Sequence, residues 1–289
     1  MRTLNEYCRQ AFGEKLYKLS LNGGMTCPNR DGTLDTRGCI FCSAGGSGDF
    51  APDARLSIPA QIEEAKARVA QKCRGRRYIA YFQAYTNTYA PVERLRALFT
   101  PVIQREDIAV LSVATRPDCL PGDVLDLLGE LNRKKPVWVE LGLQTIHPAT
   151  AAYIRRGYDL ACYDRAVAEL TARGIHVVTH VILYLPGETR EQMLETVRYV
   201  GRCSGDIKLQ LLHVLEGTDL AAEYRAGRVP LPTLEEYVDL VRDCVGELPP
   251  DTVVHRMTGD GPKRILIAPQ WSGDKKRVLN ALNRALGRT

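Results

Sequence analysis

Three of the nine cysteines of the chain stand close together. Cys27, Cys39 and Cys42 lie in the segment TCPNRDGTLDTRGCIFC, where eleven residues separate the first two cysteines and two separate the second pair. Thiolates bind soft metal centres, which in proteins are zinc ions and iron–sulfur clusters. A structural zinc site needs four ligands, and the first histidine of the chain is His147. Three thiols without an obvious fourth ligand favour a [4Fe–4S] cluster with one open iron; zinc and three unrelated buried thiols remain the alternatives.

The other six cysteines are spaced singly, and we expect each of them to be a small buried hydrophobe. Cys8 could be a fourth ligand, but a predicted strand separates it from the loop that carries the other three. A disulfide framework is not expected, because a chain of 289 residues can bury a large core and a cytosolic protein keeps its thiols reduced. The six are Cys8, Cys73, Cys119, Cys162, Cys203 and Cys244.

Apolar runs of strand length alternate with segments of helical period, a pattern that builds parallel sheets from βα units. The predicted strands cover residues 16–21, 78–83, 108–114, 137–143, 175–183 and 207–214. The predicted helices cover residues 59–73, 91–99, 121–132, 160–173 and 190–201. The cysteine loop, residues 22–50, directly follows the first strand, at the carboxyl edge where α/β folds place their chemistry. Such a chain forms either a doubly wound open sheet or a partial barrel, and periodicity alone does not separate these two.

The regular alternation of strands and helices ends after Leu215. A polar turn is followed by a helix near residues 233–246, short β-like runs at 252–257 and 265–268, and a terminal helix from Lys275. We therefore predict an α/β core over residues 1–214 and a small basic α+β C-terminal extension over residues 215–289.

Composition and charge narrow the classes of protein. With 45% hydrophobic and 25% charged residues, the chain is expected to be soluble and globular. It shows neither a membrane-spanning apolar run nor a signal peptide, so we expect a cytoplasmic protein without a membrane partner. The net charge is +5, and residues 255–289 alone carry eight basic residues against two acidic ones. This excess, together with Lys72, Arg74, Arg76 and Arg77, favours a polyanionic partner, with a solvated basic face as the alternative.

Several motifs together resemble a known family. The cysteine loop after the first of six βα units is similar to that of the radical S-adenosylmethionine (SAM) superfamily, although the eleven-residue gap departs from the commonest three-residue gap. More specifically, the chain resembles the Elp3-related, YhcC/YtqA-like radical SAM proteins. The motifs that carry this resemblance are Met25 to Cys42, YFQAYTNTYAP (81–91), ATRPDCL (114–120), ELGLQT (140–145), LPGET (185–189) and TGDGPKRILIAPQW (258–271).

The resemblance implies a partial (β/α)6 radical SAM barrel with a [4Fe–4S] cluster on Cys27, Cys39 and Cys42. SAM would bind the open iron, and its reductive cleavage would give a 5′-deoxyadenosyl radical that removes a hydrogen atom from the substrate. The cofactors supply this difficult step, while the protein orients SAM and excludes water.

The resemblance also implies SAM contacts. Phe41 would lie beside the adenine, Gln144 would bond the ribose, and Arg156 would hold the carboxylate with its planar fork; a helix-surface salt bridge is the alternative for Arg156. Tyr158 stands where related proteins often have histidine.

The second strand ends differently from the Gly-Gly-Glu of many members. Gln83, Thr86 or Asn87 would accept hydrogen bonds from the SAM ammonium group, and the three candidates stay open. Leu183 and the LPGET turn after it would offer backbone groups to the adenine.

Two further residues are candidates for catalysis. Lys208 lies on a strand, where a charge is costly unless it is paired, and it could hold an anionic group of the substrate. His213 is the second candidate; like His180, it could equally be a structural histidine.

The resemblance to Elp3-type enzymes implies a tRNA substrate, modified on the C5 side chain of the wobble uridine, and an electron donor such as flavodoxin or ferredoxin. The alternatives are a radical SAM enzyme that acts on a small metabolite, a zinc-stabilised RNA-binding protein without catalysis, and an iron–sulfur electron carrier.

Overall fold

Parallel strands whose side chains alternate between two buried faces form the centre of the protein. The computed structural model describes residues 1–73, 75–259 and 261–288. Within these ranges the main sheet contains eight strands: β1 (Arg2–Thr3), β2 (Tyr17–Leu21), β3 (Tyr78–Phe82), β4 (Ile108–Thr115), β5 (Val137–Gln144), β6 (His176–Leu183), β7 (Asp206–Leu211) and β9 (Val253–Arg256). Two short strands, β8 (Val214–Leu215) and β10 (Leu266–Ala268), pair antiparallel in a separate sheet.

The order of the strands distinguishes the two predicted architectures. Across the main sheet the order is β1-β9-β7-β6-β5-β4-β3-β2, and every neighbouring pair is parallel. From β2 to β7 each strand lies beside the next one in the chain, without the reversal that defines a doubly wound sheet. The sheet curls into an open half-barrel. The prediction of a partial α/β barrel built on six strands is therefore confirmed.

Helices connect the strands and cover the outer face. They are α1 (Leu4–Phe12), α2 (Ile58–Val69), α3 (Val92–Gln104), α4 (Gly122–Asn132), α5 (Pro148–Tyr153), α6 (Leu160–Ala172), α7 (Arg190–Cys203), α8 (Asp219–Arg225), α9 (Leu234–Glu247) and α10 (Lys275–Ala285). The five predicted core helices match α2, α3, α4, α6 and α7, with ends that differ by a few residues. The sequence did not predict α1 or α5, which are short.

The two faces of the sheet differ in polarity. Outward side chains such as Phe82, Leu141 and Leu209 pack with the helices in the main apolar core. Inside the half-barrel, the lowest layer is also apolar: Ile79, Val110 and Trp138 pack there. Above that layer the interior side chains are polar, which is unusual for a small barrel filled by its own side chains. The polar layers surround the cavity described below.

Helix α1 closes the lower end of the half-barrel. Its N-cap Thr3 accepts a hydrogen bond from the amide of Glu6, whose side chain returns to the Thr3 amide in a capping box. Cys8 on this helix is fully buried beside Leu16 and Trp138, and burial raises the pKa of its thiol to about 11. Cys8 is therefore a buried structural thiol at the end of the half-barrel opposite the cysteine loop.

The segment after Leu215 is not a separate layer. Its strand β9 adds to the main sheet beside β7, with Asp206 opposite Val253, and its helix α9 packs on α7. His255 on β9 is buried, and its Nε2 lies 3.0 Å from the Asp206 carboxylate. This segment therefore extends the half-barrel by one strand.

The prediction that the six single cysteines are buried is correct for only half of them. Cys8, Cys119 and Cys244 are buried, Cys73 and Cys162 are half-buried, and Cys203 is exposed at the end of α7. Within the described ranges, no helix has both the length and the apolar character needed to span a membrane.

Candidate functional site

The loop that carries the three cysteines is folded by its own backbone bonds. It leaves the carboxyl end of β2 and contains no regular strand or helix before α2. The carbonyl of Cys27 accepts the amides of Arg30 (2.8 Å) and Asp31 (3.2 Å), and the Cys42 amide donates to the Cys39 carbonyl at 3.0 Å. Each cysteine therefore lies in or beside a tight turn.

Arg30 joins the two ends of the eleven-residue gap. It follows the Cys27 turn, and its Nη2 donates to the carbonyls of Cys42 (2.8 Å) and Ser43 (2.7 Å). The guanidinium passes so close to Gly38 that a β-carbon there would lie 2.9 Å from its Nε. The Arg30 side chain thus bridges the two ends of the gap, and Gly38 leaves room for its guanidinium.

Other parts of the chain hold the loop from outside. Asn29 donates to the Arg155 carbonyl at 2.7 Å and to the Cys39 sulfur at 3.5 Å. Between the paired cysteines, the amide of Ile40 donates to Ile154 (3.3 Å), and its carbonyl accepts from Leu220 (2.9 Å). Helices α5 and α8 therefore fix the backbone between Cys39 and Cys42.

All three cysteines line one cavity inside the half-barrel. The cavity encloses about 940 Å³ of unfilled space, including its open mouth, and every strand from β3 to β7 contributes to its wall, as does β9. The loop packs closely on the residues that follow β3: β-carbons at Gly46 and Gly48 would lie 2.3 Å from the Tyr85 ring and 2.4 Å from Ala84. Only glycine permits this close packing.

Burial raises the pKa of two of the three thiols. It is the main cause that raises the pKa of Cys39 to about 12, and the neighbouring Cys42 contributes in the same direction. Burial also raises the pKa of Cys42, which Arg30 opposes. Within the residues described, no three His, Cys, Asp or Glu side chains are grouped as they would be around one metal ion. In a cubane each cysteine binds a different iron, so the three sulfurs need not converge on one point, and the donor set fits a cluster.

The predicted carboxylate ligand Arg156 is buried in the lining of the cavity. Its Nε donates to the Tyr158 carbonyl (3.0 Å), and its Nη1 donates to the carbonyls of Leu143 (3.1 Å) and Thr145 (2.6 Å). It forms no salt bridge with any acidic residue that the structure describes, so the alternative of a helix-surface ion pair is wrong. Only Nη2 of the guanidinium is left to donate to a ligand, because Nε and Nη1 already donate to the three carbonyls.

Tyr158 lies between two guanidinium groups. The Arg156 and Arg116 groups stand 4.8 Å and 5.0 Å from the centre of its ring, and its hydroxyl donates to the Gly142 carbonyl. Arg116 is neutralised by Asp118 at 2.7 Å, whereas Arg156 is not. Burial raises the pKa of Tyr158, so the ring stays neutral and positions Arg156.

Gln144 ends β5 in the left-handed backbone region, with φ at 64°, and its side chain lines the cavity. A β-carbon at Gly142 would lie 2.5 Å from its Nε2, so the Gln144 amide packs directly over this glycine. Phe41 also lines the cavity and packs against the small apolar cluster that includes Ile154 and Leu185. Both residues therefore reach the space where the sequence placed SAM contacts.

The three candidates for the ammonium group are placed differently. Gln83 lines the cavity, but its amide is engaged, accepting from Ser20 (3.0 Å) and donating to the Ser47 carbonyl (2.8 Å). Thr86 is buried and lines the cavity. Asn87 lies outside the lining, where its Nδ2 donates to the carbonyls of Phe82 and Ala114. Thr86 is therefore the candidate best placed to meet a ligand.

Leu183 does not reach the cavity. Its side chain is fully buried in the outer core, and its carbonyl accepts from the Leu212 amide at 3.1 Å. A direct contact of Leu183 with adenine is therefore not supported, because both its side chain and its carbonyl are already engaged.

The two catalytic candidates lie at different depths. His213 lines the neighbouring part of the cleft near its mouth, where Gly259 and Gly261 pack against its ring and its Nε2 lies 3.1 Å from Ser272. Lys208 lies deeper, is 4% exposed, and pairs with Glu140. His213 thus fixes the C-terminal segment, while Lys208 belongs to a charged layer.

The sequence analysis assigned no role to Glu140, although it lies in the ELGLQT motif. Its carboxylate is buried and bonds Lys18 at 2.5 Å, Ser112 at 2.7 Å, His180 at 2.7 Å, and Lys208. Burial alone would raise the pKa of Glu140, but Lys18 and Lys208 outweigh burial and hold it well below its usual range. Three mainly apolar strands carry a charged residue in their interior, namely Lys18, Glu140 and Lys208. This was the signal in the sequence that could have revealed the network.

His180 should remain neutral in the folded protein. Burial, and then the charge of Lys208, lower its pKa to about 4, against about 6.5 in the unfolded chain. Between these values the unfolded chain binds more protons, so the protein loses stability as the pH falls. We expect H180Q to remove about 2 kcal/mol of the stability difference between pH 7 and pH 5. Urea unfolding at both pH values measures this, and an imidazole resonance of His180 that titrates near pH 6.5 would contradict it.

Comparisons with known proteins identify the family of this chain. The family model of the Radical SAM superfamily matches residues 36–200, which include Cys39 and Cys42, and that of the Radical SAM C-terminal domain matches residues 206–288. Protein YtqA of Bacillus subtilis is 47% identical over 98% of this chain and 88% of its own length. Protein YhcC of Escherichia coli is 40% identical over 95% and 88%.

A solved structure shares the fold. The archaeal Elp3 of Methanocaldococcus infernus, with its N-terminus deleted, superposes with a TM-score of 0.66 at 15% identity, over 93% of this chain and 63% of that one. The half-barrel, the cysteine loop and these matches lead to one conclusion. The chain is an enzyme of the radical SAM superfamily.

Proposed function

We propose that Cys27, Cys39 and Cys42 hold a [4Fe–4S] cluster whose fourth iron binds SAM, and that the enzyme modifies the C5 side chain of wobble uridine in tRNA. The observation that carries the cluster assignment is the placement of these three thiols in the lining of one cavity. The other potential metal ligands in that lining, Glu140 and His180, are bonded to each other at 2.7 Å. The cavity therefore offers three sulfur donors to the cluster.

The residues around the cysteines would hold SAM and keep water out. When bound, the cluster supplies the electron that cleaves SAM to a 5′-deoxyadenosyl radical, which removes a hydrogen atom from the substrate. The free Nη2 of Arg156 would donate to the SAM carboxylate, Thr86 would accept from the ammonium group, and Phe41 and Gln144 would contact the nucleoside. The glycines at positions 46 and 48 let the loop close over the cavity, which protects a reactive carbon radical.

The distribution of positive charge supports a nucleic-acid substrate at the mouth. Pro262 lines the outer cleft, and the next two residues, Lys263 and Arg264, are exposed. Lysine and arginine contacts with phosphates supply most of the affinity for nucleic acid. The second basic group is placed differently: Lys72 and Arg76 lie before β3, at the opposite edge of the sheet, and Arg74 lies outside the described residues. The resemblance to Elp3-type enzymes supplies the choice of wobble uridine.

Removing any one cysteine of the loop should destroy the cluster. C27A, C39A and C42A, reconstituted anaerobically with iron and sulfide, should lose the visible charge-transfer absorbance, because each thiolate binds its own iron. Iron and sulfide analysis measures this. C203A, which changes an exposed thiol, is the control and should keep full iron content. Full iron and sulfide in all three loop variants would contradict the assignment, and retained zinc would favour the zinc protein.

Loss of the Arg156 charge should weaken SAM binding without loss of iron. A charge-assisted hydrogen bond contributes roughly 1.5–3 kcal/mol, so R156A should raise the SAM dissociation constant roughly tenfold to a hundredfold. Equilibrium dialysis with labelled SAM measures the affinity, and R156K tests whether the charge alone suffices. The control is R133A, an exposed arginine after α4. An unchanged SAM affinity in R156A would remove this role.

The tRNA assignment makes a prediction about salt. The affinity for tRNA should fall with salt by a slope of roughly −0.7 to −0.9 per phosphate contact, so the double variant K263Q/R264Q should flatten the slope by roughly 1.5. The matched control K72Q/R76Q, at the opposite edge, should leave the slope unchanged. Filter binding from low to high salt measures this, and a slope that neither variant changes would contradict contact at the mouth.

The substrate itself is tested by one anaerobic reaction. Reduced, reconstituted enzyme with SAM and bulk tRNA should produce 5′-deoxyadenosine and a changed wobble uridine, read by nucleoside mass spectrometry. If 5′-deoxyadenosine rises with a small-molecule extract but not with tRNA, the enzyme acts on a metabolite instead.

A further inference from the structure

Two lysines share one carboxylate inside the half-barrel. Oε1 of Glu140 accepts from Lys18 (2.5 Å) and Ser112 (2.7 Å), and Oε2 accepts from His180 (2.7 Å) and Lys208. The side chain of Glu140 is fully buried, and that of Lys208 is 5% exposed. One negative charge therefore faces two positive charges in a place with little water, where uncompensated charge is costly.

A third cation lies next to Lys208. Arg256 on β9 stands opposite Lys208 in the strand register, and both residues line the cavity. Among the described residues that line the adjoining part of the cleft, the acidic one is Asp49, which accepts a hydrogen bond from Ser43 at 2.7 Å. The wall formed by β7 and β9 therefore brings two cationic side chains to the cavity.

The ammonium group of Lys208 has a donor left for a ligand. Of its three N–H groups, one donates to Glu140 and one is directed to the Tyr81 hydroxyl at 3.3 Å. Its Nζ lies 4.5 Å from the centre of the Tyr81 ring. These contacts fix the ammonium group at the cavity wall and leave its third N–H for a group in the cavity.

We propose that Lys208 and Arg256 bind an anionic group of the substrate, a carboxylate or a phosphate, against the β7–β9 wall. This inference rests on the proposed function, because it assumes that the cavity that holds SAM also receives the substrate. SAM does not need this subsite for its own carboxylate, since Arg156 lies in a different part of the lining, at the end of α5. The incoming anion would neutralise the charge that Glu140 leaves uncompensated.

The bound anion should also hold a proton on Lys208. Burial lowers the pKa of Lys208, Lys18 and Arg256 lower it further, and Glu140 opposes them. An anion beside the amine favours the charged form, so binding should take up protons and weaken as the pH rises. The charged and titratable groups that face Lys208 are Lys18 on β2, Tyr81 on β3, Glu140 on β5, His180 on β6 and Arg256 on β9.

Calorimetry on the reconstituted enzyme tests the proposal without any radical chemistry. Acetate and inorganic phosphate are titrated separately, at constant ionic strength maintained with chloride. We expect saturable binding of at least one of them, and the one that binds identifies the anion as carboxylate or phosphate. K208Q and R256Q should each weaken that binding at least tenfold, whereas K208R should retain it. K72Q, which removes an exposed cation at the opposite edge of the sheet, is the control for general charge attraction and should bind like the unaltered enzyme.

The measurements distinguish a failure of the anion subsite from a failure of the cysteine or SAM assignments. Iron content and SAM affinity of K208Q should match those of the unaltered enzyme, which shows that the variant is folded and that Lys208 does not hold SAM. Equal anion affinity in K208Q and the unaltered enzyme, or no saturation with either anion, would overturn the subsite. Neither result would affect the cysteine assignment, and failure on tRNA would leave the anion titration intact.

Discussion

The candidate site depends on the fixation of one loop. Cys27 and the Cys39–Cys42 pair are eleven residues apart, and Arg30 brings them together by donating to the carbonyls of Cys42 and Ser43. The backbone between the paired cysteines is then bonded on one side to Ile154 and on the other to Leu220. Core and C-terminal segment therefore both position the sulfurs, which explains why residues beyond 215 are part of the site.

The half-barrel provides a polar-lined cavity beneath the cysteine loop. Its lowest layer is apolar and closed by α1, while its upper layers carry polar side chains around an open cavity. A cavity can persist there because the polar groups bond one another across strands, and Glu140 is the centre of that network. A fully apolar interior of this size would collapse into a packed core.

Much of this architecture could be predicted from the sequence. Each predicted strand of the core lies within a few residues of an observed one, because buried parallel strands are continuous apolar runs. Pairing order is not encoded in such runs, so the addition of β9 beside β7 could not be predicted. The three cysteines were grouped by their spacing alone, and they line one cavity in the structure. Glu140 was not predicted, because its lysine partners lie 122 and 68 residues away. Asn87 and Leu183 could be placed outside the cavity only once their hydrogen bonds to backbone groups were known.

The open iron is the central claim, and Mössbauer spectroscopy of enzyme reconstituted with 57Fe tests it most directly. The account predicts that SAM changes the signal of one iron out of the four and leaves the other three unchanged, because three irons are held by cysteine and one is not. A spectrum in which SAM changes no iron site, or in which the metal is not a four-iron cluster, would contradict it.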